Sequence, residues 1–452
     1  MKSINYYLGL WAGKLAVAAF TLKGDPNCDR PGILARRFDE NFIADADKPQ
    51  LVLLISGTNG KSSVTNIINS MYKKIGIKTA CNEAGNNTFA GEAWTMLKAN
   101  NIFGKAKVDA IVMEADELFS RITFPQIRPD CMIITNLGRD SMFKNGNPEI
   151  PYSSLQDAIR KLPETKLFLN ADDPLSCFLG ENNKRIYYGV AAIDDKGPKT
   201  QSRDFTVCPR CAGIPRYRYV NYRHIGQFYC PDCGLSSPVP DYLCTRYDSD
   251  KMSVKEENCE YEYPVISDTI YNIYNETAII AYFRTMGYSP EKISEMLNDI
   301  KLPKIREEII EADGIKIIRR AMKGQNAYAA STVLEALSET DGSKEVILML
   351  DEIPDETGLE TICWIWDTNF ELLNDPSIKK IIVSGKRHLD HRLRLLEAGI
   401  DPDKLVDVED DEEICPHLIK DVQNIFVLYD IMALKRSRAV CENIIKEIKA
   451  ER

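Results

Sequence analysis

The stretch LVLLISGTNGKSS, residues 51–63, constrains what this chain can fold into more than any other. An unbroken apolar run with no alternation reads as a strand buried on both faces, the signature of a parallel sheet covered by helices. The run breaks at Gly57 and Gly60 and continues as Lys61, Ser62 and Ser63. A strand, a glycine turn and a helix start point backbone N–H groups and the positive end of a helix at an anion. On this reading Gly57, Thr58, Asn59, Gly60, Lys61, Ser62 and Ser63 form a phosphate loop for ATP. Lys61 reaches the outer phosphates and Ser62 ligates Mg²⁺. The strict G-x4-G-K-[ST] pattern requires glycine five positions before Gly60, where Ile55 stands. A glycine turn with a solvated lysine is the plain alternative, and the strand before it makes that the poorer reading.

From residue 51 to about 190, apolar runs alternate with helical patterns: DAIVMEAD (109–116), DCMIITNL (130–137), TKLFLNA (165–171) and KRIYYGV (184–190). This alternation predicts a doubly wound α/β domain with a parallel sheet. Three divisions are expected. Residues 1–46 form a helical segment packed on the ATPase domain, 47–300 the central ATP-binding domain, and 301–452 a smaller α/β domain with runs at 344–352, 378–385 and 424–430. At strand ends, Glu114, Asn136, Asn170 and Asp172 stand where open α/β sheets bind ligands. A lone Asp or Asn at such a position is usually a helix cap, but four in register make that reading poor.

CPRC (208–211) and CPDC (230–233) give two C-x2-C pairs. Four thiolates at this spacing, Cys208, Cys211, Cys230 and Cys233, suit one tetrahedral Zn²⁺ in a ribbon inserted at about 204–237. With all four positions filled by protein the metal is structural. The total of 13 cysteines is odd and scattered, unlike a secreted disulfide framework, which places the protein in the cytoplasm. A net charge of −10 argues against charge-driven nucleic-acid binding, so no nucleic-acid partner is expected. Leu8–Phe20 is the nearest approach to a membrane segment, and Lys14 interrupts it.

GTNGKSS (57–63), EADE (114–117), ITNLGRD (134–140) and LNADDP (169–174) together resemble the Mur ligase family. That resemblance makes Glu114 a magnesium-binding glutamate and the Asn136, Asn170 and Asp172 segments nucleotide contacts. The ribbon, WAGKLAVAAF, RPGILARRF, YNIYNETAIIAYF (271–283), KIREEII (304–310) with Arg306, ICWIWDTNFELL (362–373) and SGKRHLDHRLRLLEAGI (384–400) are similar to one branch, MurT. The branch implies ATP-dependent amidation of the D-glutamate α-carboxylate of lipid II to D-isoglutamine through an acyl phosphate, at the inner membrane face. It also implies a separate GatD-type glutaminase as partner. The four histidines here, His224, His388, His391 and His417, lie in no recognisable glutaminase motif. On the same resemblance an aspartate of this chain completes the partner's triad. Asp367 is the first choice and Asp351 the second, while a helix N-cap is the structural alternative for Asp367. The match departs at RDSMFKNGN (139–147), at AMKGQNA (321–327), which keeps Lys323, and at Cys363. Two other readings stay open: a stand-alone or diverged Mur-like ligase acting on another carboxylate, and a nucleotide-switched binding module.

Overall fold

The apolar run at residues 51–56 becomes the strand at which the first sheet reverses its order. The computed structural model describes residues 2–25, 29–83, 85–139, 147–192, 204–300, 307–322, 326–350, 362–419, 421–430 and 433–450. Two units result. Of the described residues, the first is built from those up to 138, from 147 to 192 and from 204 to 300, the second from those from 307 onward together with Arg139.

In the first unit the strands are β1 (Leu51–Ser56), β2 (Thr79–Cys81), β3 (Ala110–Glu114), β4 (Cys131–Ile134), β5 (Lys166–Asn170) and β6 (Arg185–Val190). They are followed by β7 (Arg216–Tyr222), β8 (Ile225–Tyr229), β9 (Tyr242–Tyr247), β10 (Lys251–Glu256) and β11 (Cys259–Pro264). Nine of them make one sheet in the order β11-β10-β9-β6-β5-β4-β1-β3-β2, and β7 pairs with β8 apart from it. Because β1 lies between β3 and β4, the chain winds to one side after β1 and to the other after β3. The loop leaving β1 therefore opens at the switch point, the natural crevice of such a sheet.

Successive β1 side chains enter opposite cores. Leu53 and Ile55 pack with Val64, Ile68 and Tyr72 of the helix Lys61–Lys74 and with the helix Ile270–Thr285. Val52 and Leu54 pack on the other face with Leu10, Leu97 and Phe124, from the helices Ile4–Leu22, Phe89–Ala99 and Ser120–Ile127. This is the period of two expected for a strand buried on both sides.

The sheet is not wholly parallel. The six pairings from β2 across to β9 are parallel, whereas β10 and β11 extend the sheet as an antiparallel hairpin. KMSVKE and CEYEYP alternate polar with apolar residues, as antiparallel strands facing water on one side do. They lack the continuous apolar runs by which β1, β3, β4 and β5 are recognised.

Glu92, in the helix Phe89–Ala99, is fully buried, and burial pushes its carboxyl up to about 8, only partly opposed by the Thr123 hydroxyl. A folded-state value above the unfolded one disfavours the charged form, so stability falls as pH rises from about 4.5 to 8. Glu92→Gln is expected to be more stable than the natural chain at pH 8 by a few kcal/mol, with the gap closing at pH 4.5. Urea melts at the two pH values check this; an unchanged gap would refute it.

The second unit holds β12 (Glu307–Ala312), β13 (Ile315–Met322), β14 (Lys344–Met349), β15 (Ile378–Ser384), β16 (Leu405–Val408) and β17 (Asn424–Asp430). Their order is β12-β13-β17-β14-β15-β16, parallel except for β12 against β13. Helices Ala327–Ser338 and His388–Glu397 cover one face and Leu434–Ala450 the other. Arg306, Lys323 and Asp351 lie outside the described residues.

Candidate active site

The phosphate loop is locked from three sides. Gly57 takes φ 125° and Gly60, at the N-cap of Lys61–Lys74, takes φ 90°, backbone angles that favour glycine. A Cβ on Gly57 would collide with the Thr135 hydroxyl, and one on Gly60 would come within 2.5 Å of Asn275 Oδ1. Thr58 N donates to Asn136 O at 2.7 Å, and the Thr58 hydroxyl and Gly138 backbone bond each other at 3.0–3.1 Å. Asn136 spans Asn59, accepting from its N at 3.2 Å and donating to its O at 3.0 Å. Asn136 thus stiffens the loop itself.

Lys61 is buried and its ammonium donates to Gly57 O and to Glu117 Oε1, the latter at 2.9 Å. Burial lowers the lysine's pKa, but the carboxylates of Glu117, Glu114 and Asp116 more than reverse this and hold it charged. Glu117 was not singled out by sequence reasoning. It is the second glutamate of EADE, and the short 3₁₀ turn Glu117–Phe119 swings it back onto the loop.

Glu114, at the end of β3, accepts from Asn87 Nδ2 at 2.9 Å through Oε1, while among the described residues its buried Oε2 has no partner. A Cβ on Gly85 would sit 3.6 Å from Ser62 Oγ and 4.0 Å from Glu114 Oε1. A hydroxyl and an under-satisfied carboxylate therefore border one small space beside the loop, a donor set that fits Mg²⁺. Ser63 belongs to the first turn of the helix Lys61–Lys74.

Asn170 and Asp172 lie deeper. Asn170 reaches Thr135 O at 3.4 Å and accepts from Asp172 N at 3.0 Å. Asp172 accepts from Val190 N at 3.0 Å, Tyr274 at 2.7 Å and Tyr219 at 3.1 Å. Burial still leaves its carboxyl raised to about 6. Asp172 therefore ties β6, the ribbon hairpin and the helix Ile270–Thr285 together. Next to it, His224 Nε2 lies 2.9 Å from Leu137 O and 3.4 Å from Asp173.

The ribbon's Cys208, Cys211, Cys230 and Cys233 bring their sulfurs within 4.8 Å of one another. Each pair sits in a tight turn closed by Cys208 N to Gly213 O and Cys230 N to Leu235 O. Four sulfurs converging on a point suit tetrahedral Zn²⁺. Metal analysis is expected to give one zinc per chain. Cys211→Ser should lose it and raise amide exchange in β7–β8 by about tenfold or more, since metal binding and folding of such a module are coupled. Full protection without metal would refute a structural zinc.

The Mur ligase middle domain model matches residues 55–209 and the MurT ligase C-terminal model residues 324–434. The chain carries the domain pair of a MurT-type Mur ligase. The MurT subunit of lipid II isoglutaminyl synthase (glutamine-hydrolysing) from Streptococcus pneumoniae is 27% identical over 92% of this chain and 91% of its own. In fold, a type C pseudomurein peptide ligase from Methanothermus fervidus superposes with a TM-score of 0.65 at 19% identity, over 90% of this chain and 81% of that one. MurF from Thermotoga maritima, solved with ADP, does so at 0.57 and 16%, over 93% and 84%. Mur ligases are ATP-dependent.

In this MurT-type chain Asp367 closes the short helix Trp364–Asp367 and makes no helix cap. Its Oδ2 accepts from Arg139 Nη1 at 2.8 Å, with its side chain 32% exposed. The neighbouring tryptophans divide: Trp364 is core, in edge contact with buried His391, and Trp366 is exposed. Among the described residues no helix is long and apolar enough to cross a membrane.

Proposed function

We propose that the chain is the ligase subunit of a glutamine-dependent lipid II amidating enzyme, working with a GatD-type glutaminase. The observation that carries the reading is the match to a MurT subunit over nine-tenths of both chains, with the phosphate loop at the sheet's switch point inside the matched region. A carboxylate resists attack by ammonia until one oxygen becomes a good leaving group. ATP supplies it: the D-glutamate α-carboxylate attacks the γ-phosphorus, ADP departs, and the carboxyl becomes an acyl phosphate. Ammonia from the partner then adds to the carbonyl carbon, phosphate leaves, and the amide remains.

The chain's own part is placement and charge. Gly57–Ser63 backbone amides and Lys61 hold the phosphates, and Lys61 exchanges Glu117 for them as nucleotide enters. Ser62 and Glu114 would hold Mg²⁺, which offsets charge on the transferring phosphoryl group. Asn136 keeps the loop in register, while Asn170 and Asp172 brace the adjoining strand ends. Arg306 is proposed as a further nucleotide contact, and Asp367, with Asp351 as second choice, as the carboxylate orienting the partner's catalytic histidine. The domain limits 1–46, 47–300 and 301–452, and a site of action at the cytoplasmic membrane surface, belong to the same proposal. The test is mass spectrometry of lipid II incubated with this chain, the glutaminase, glutamine and ATP. The reading requires a mass lower by about 1 Da, from hydroxyl to amino. ATP consumption with no such product would favour a ligase for another carboxylate.

A further inference from the structure

The helix Ile4–Leu22 buries Tyr6, Leu10 and two glycines against the first unit and leaves the opposite side uncovered. At 100° per residue, Ile4, Leu8, Trp11, Leu15, Ala18 and Leu22 fall within about 80° of one another. They form one apolar stripe down the helix, about 28 Å long for its 19 residues. Leu15 is 73% exposed and Leu22 90%. The stripe widens at one point, where the Trp11 indole N–H donates to Ile102 O at 2.9 Å and sets the exposed Ile102 and Phe103 beside it. Such a continuous apolar surface marks a contact with something apolar.

Charge says what that something is. Within residues 1–47 the exposed charged side chains are Lys23, Arg30 and Arg37 against Asp25 and Glu40, while Lys2 pairs with Asp47 and Lys14 donates to Leu97 O and Asn100 O, in a chain whose net charge is −10. Lys105, which pairs with Asp47 at 3.3 Å, and Lys107 lie exposed just after Phe103. An apolar stripe with an indole and a phenyl ring among its widest members, set in locally basic surroundings on an acidic protein, is what an anionic bilayer surface attracts. A protein partner would be expected to cover the stripe without needing that reversal of charge.

We infer that this helix and the Ile102–Phe103 turn lay the first unit onto an anionic phospholipid surface, with Trp11, Leu15 and Phe103 entering the headgroup boundary. The inference rests on the lipid-linked substrate proposed above, and gives the chain a way to meet it.

The test uses the full chain with its glutaminase partner and vesicles of phosphatidylcholine with 30% phosphatidylglycerol, a composition chosen on the order of a bacterial anionic fraction. The natural complex should sediment with these vesicles, bind vesicles lacking phosphatidylglycerol at least about fivefold more weakly, and release in high salt. Leu15→Glu/Leu22→Glu should weaken binding at least about tenfold while leaving ATP turnover and the melting midpoint unchanged, since these side chains are 73% and 90% exposed. Phe103→Ser, outside the helix, should weaken it in the same direction. Absence of binding by the natural complex would overturn the inference. So would undiminished binding of both variants, or light scattering showing the stripe covered by a second copy that Leu15→Glu separates. Substrate amidation in detergent micelles tells the two readings apart. Product in micelles without vesicle binding removes the docking surface alone, whereas vesicle binding without product in either setting removes the proposed substrate.

Discussion

Lys61→Ala is expected to lower ATP turnover by about 10²- to 10³-fold, the scale for removing one preorganised donor from a developing charge. The ammonium lies among Glu114, Asp116 and Glu117, which keep it charged, and beside the amides of a loop locked by Asn136 and Asn275. Deleting it also leaves Glu117 buried without its cation, and breaking a buried pair in this way costs about 3–5 kcal/mol. Loss of activity in the single variant alone would confuse chemistry with folding. The double variant Lys61→Ala/Glu117→Gln removes the stranded charge. It should recover most of the melting midpoint while turnover stays low. A double variant that regains turnover with its stability would mean that Lys61 serves the fold and not the phosphates.

The phosphate loop was legible because its chemistry is local: an apolar strand, two glycines and a lysine within 13 residues carry it. The ribbon was legible for the same reason, since paired Cys-x2-Cys turns bring their own geometry. What escaped depends on chain reversal. Glu117 sits in the quoted EADE segment, but only the 3₁₀ turn after Asp116 directs it at Lys61. Asn275 lies more than 200 positions from Gly60, and Tyr219 and Tyr274 converge on Asp172 from a hairpin and a helix far apart in the chain. One signal was available: YNIYNETAIIAYF carries Asn272, Asn275 and Glu276 in a helix buried nearly all round, and polar groups so placed need partners. The hairpin β10–β11 escaped because its alternating pattern lacks the continuous apolar runs that identify parallel strands.

Asp367→Asn is expected to cut glutamine-dependent amidation by about 10³- to 10⁴-fold, the scale for replacing the aspartate that orients a triad histidine. With ammonium chloride as nitrogen source the same variant should keep most of its activity, because ATP use and acyl transfer do not need the glutaminase. The side chain is exposed enough to reach a neighbour, and Arg139 holds one of its oxygens at 2.8 Å. That ion pair supplies the rival explanation. If Asp367 only anchors Arg139, then Arg139→Gln should reproduce the whole defect, and both nitrogen sources should fail together in both variants. If Asp367 serves the partner's histidine, Arg139→Gln leaves a carboxylate in place and should depress the glutamine reaction far less than Asp367→Asn does. An asparagine keeps the shape and one acceptor but loses the charge that stabilises an imidazolium, so the glutamine reaction of Asp367→Asn should not recover at higher pH. Equal loss with glutamine and with ammonia would assign Asp367 to the ligase cleft instead.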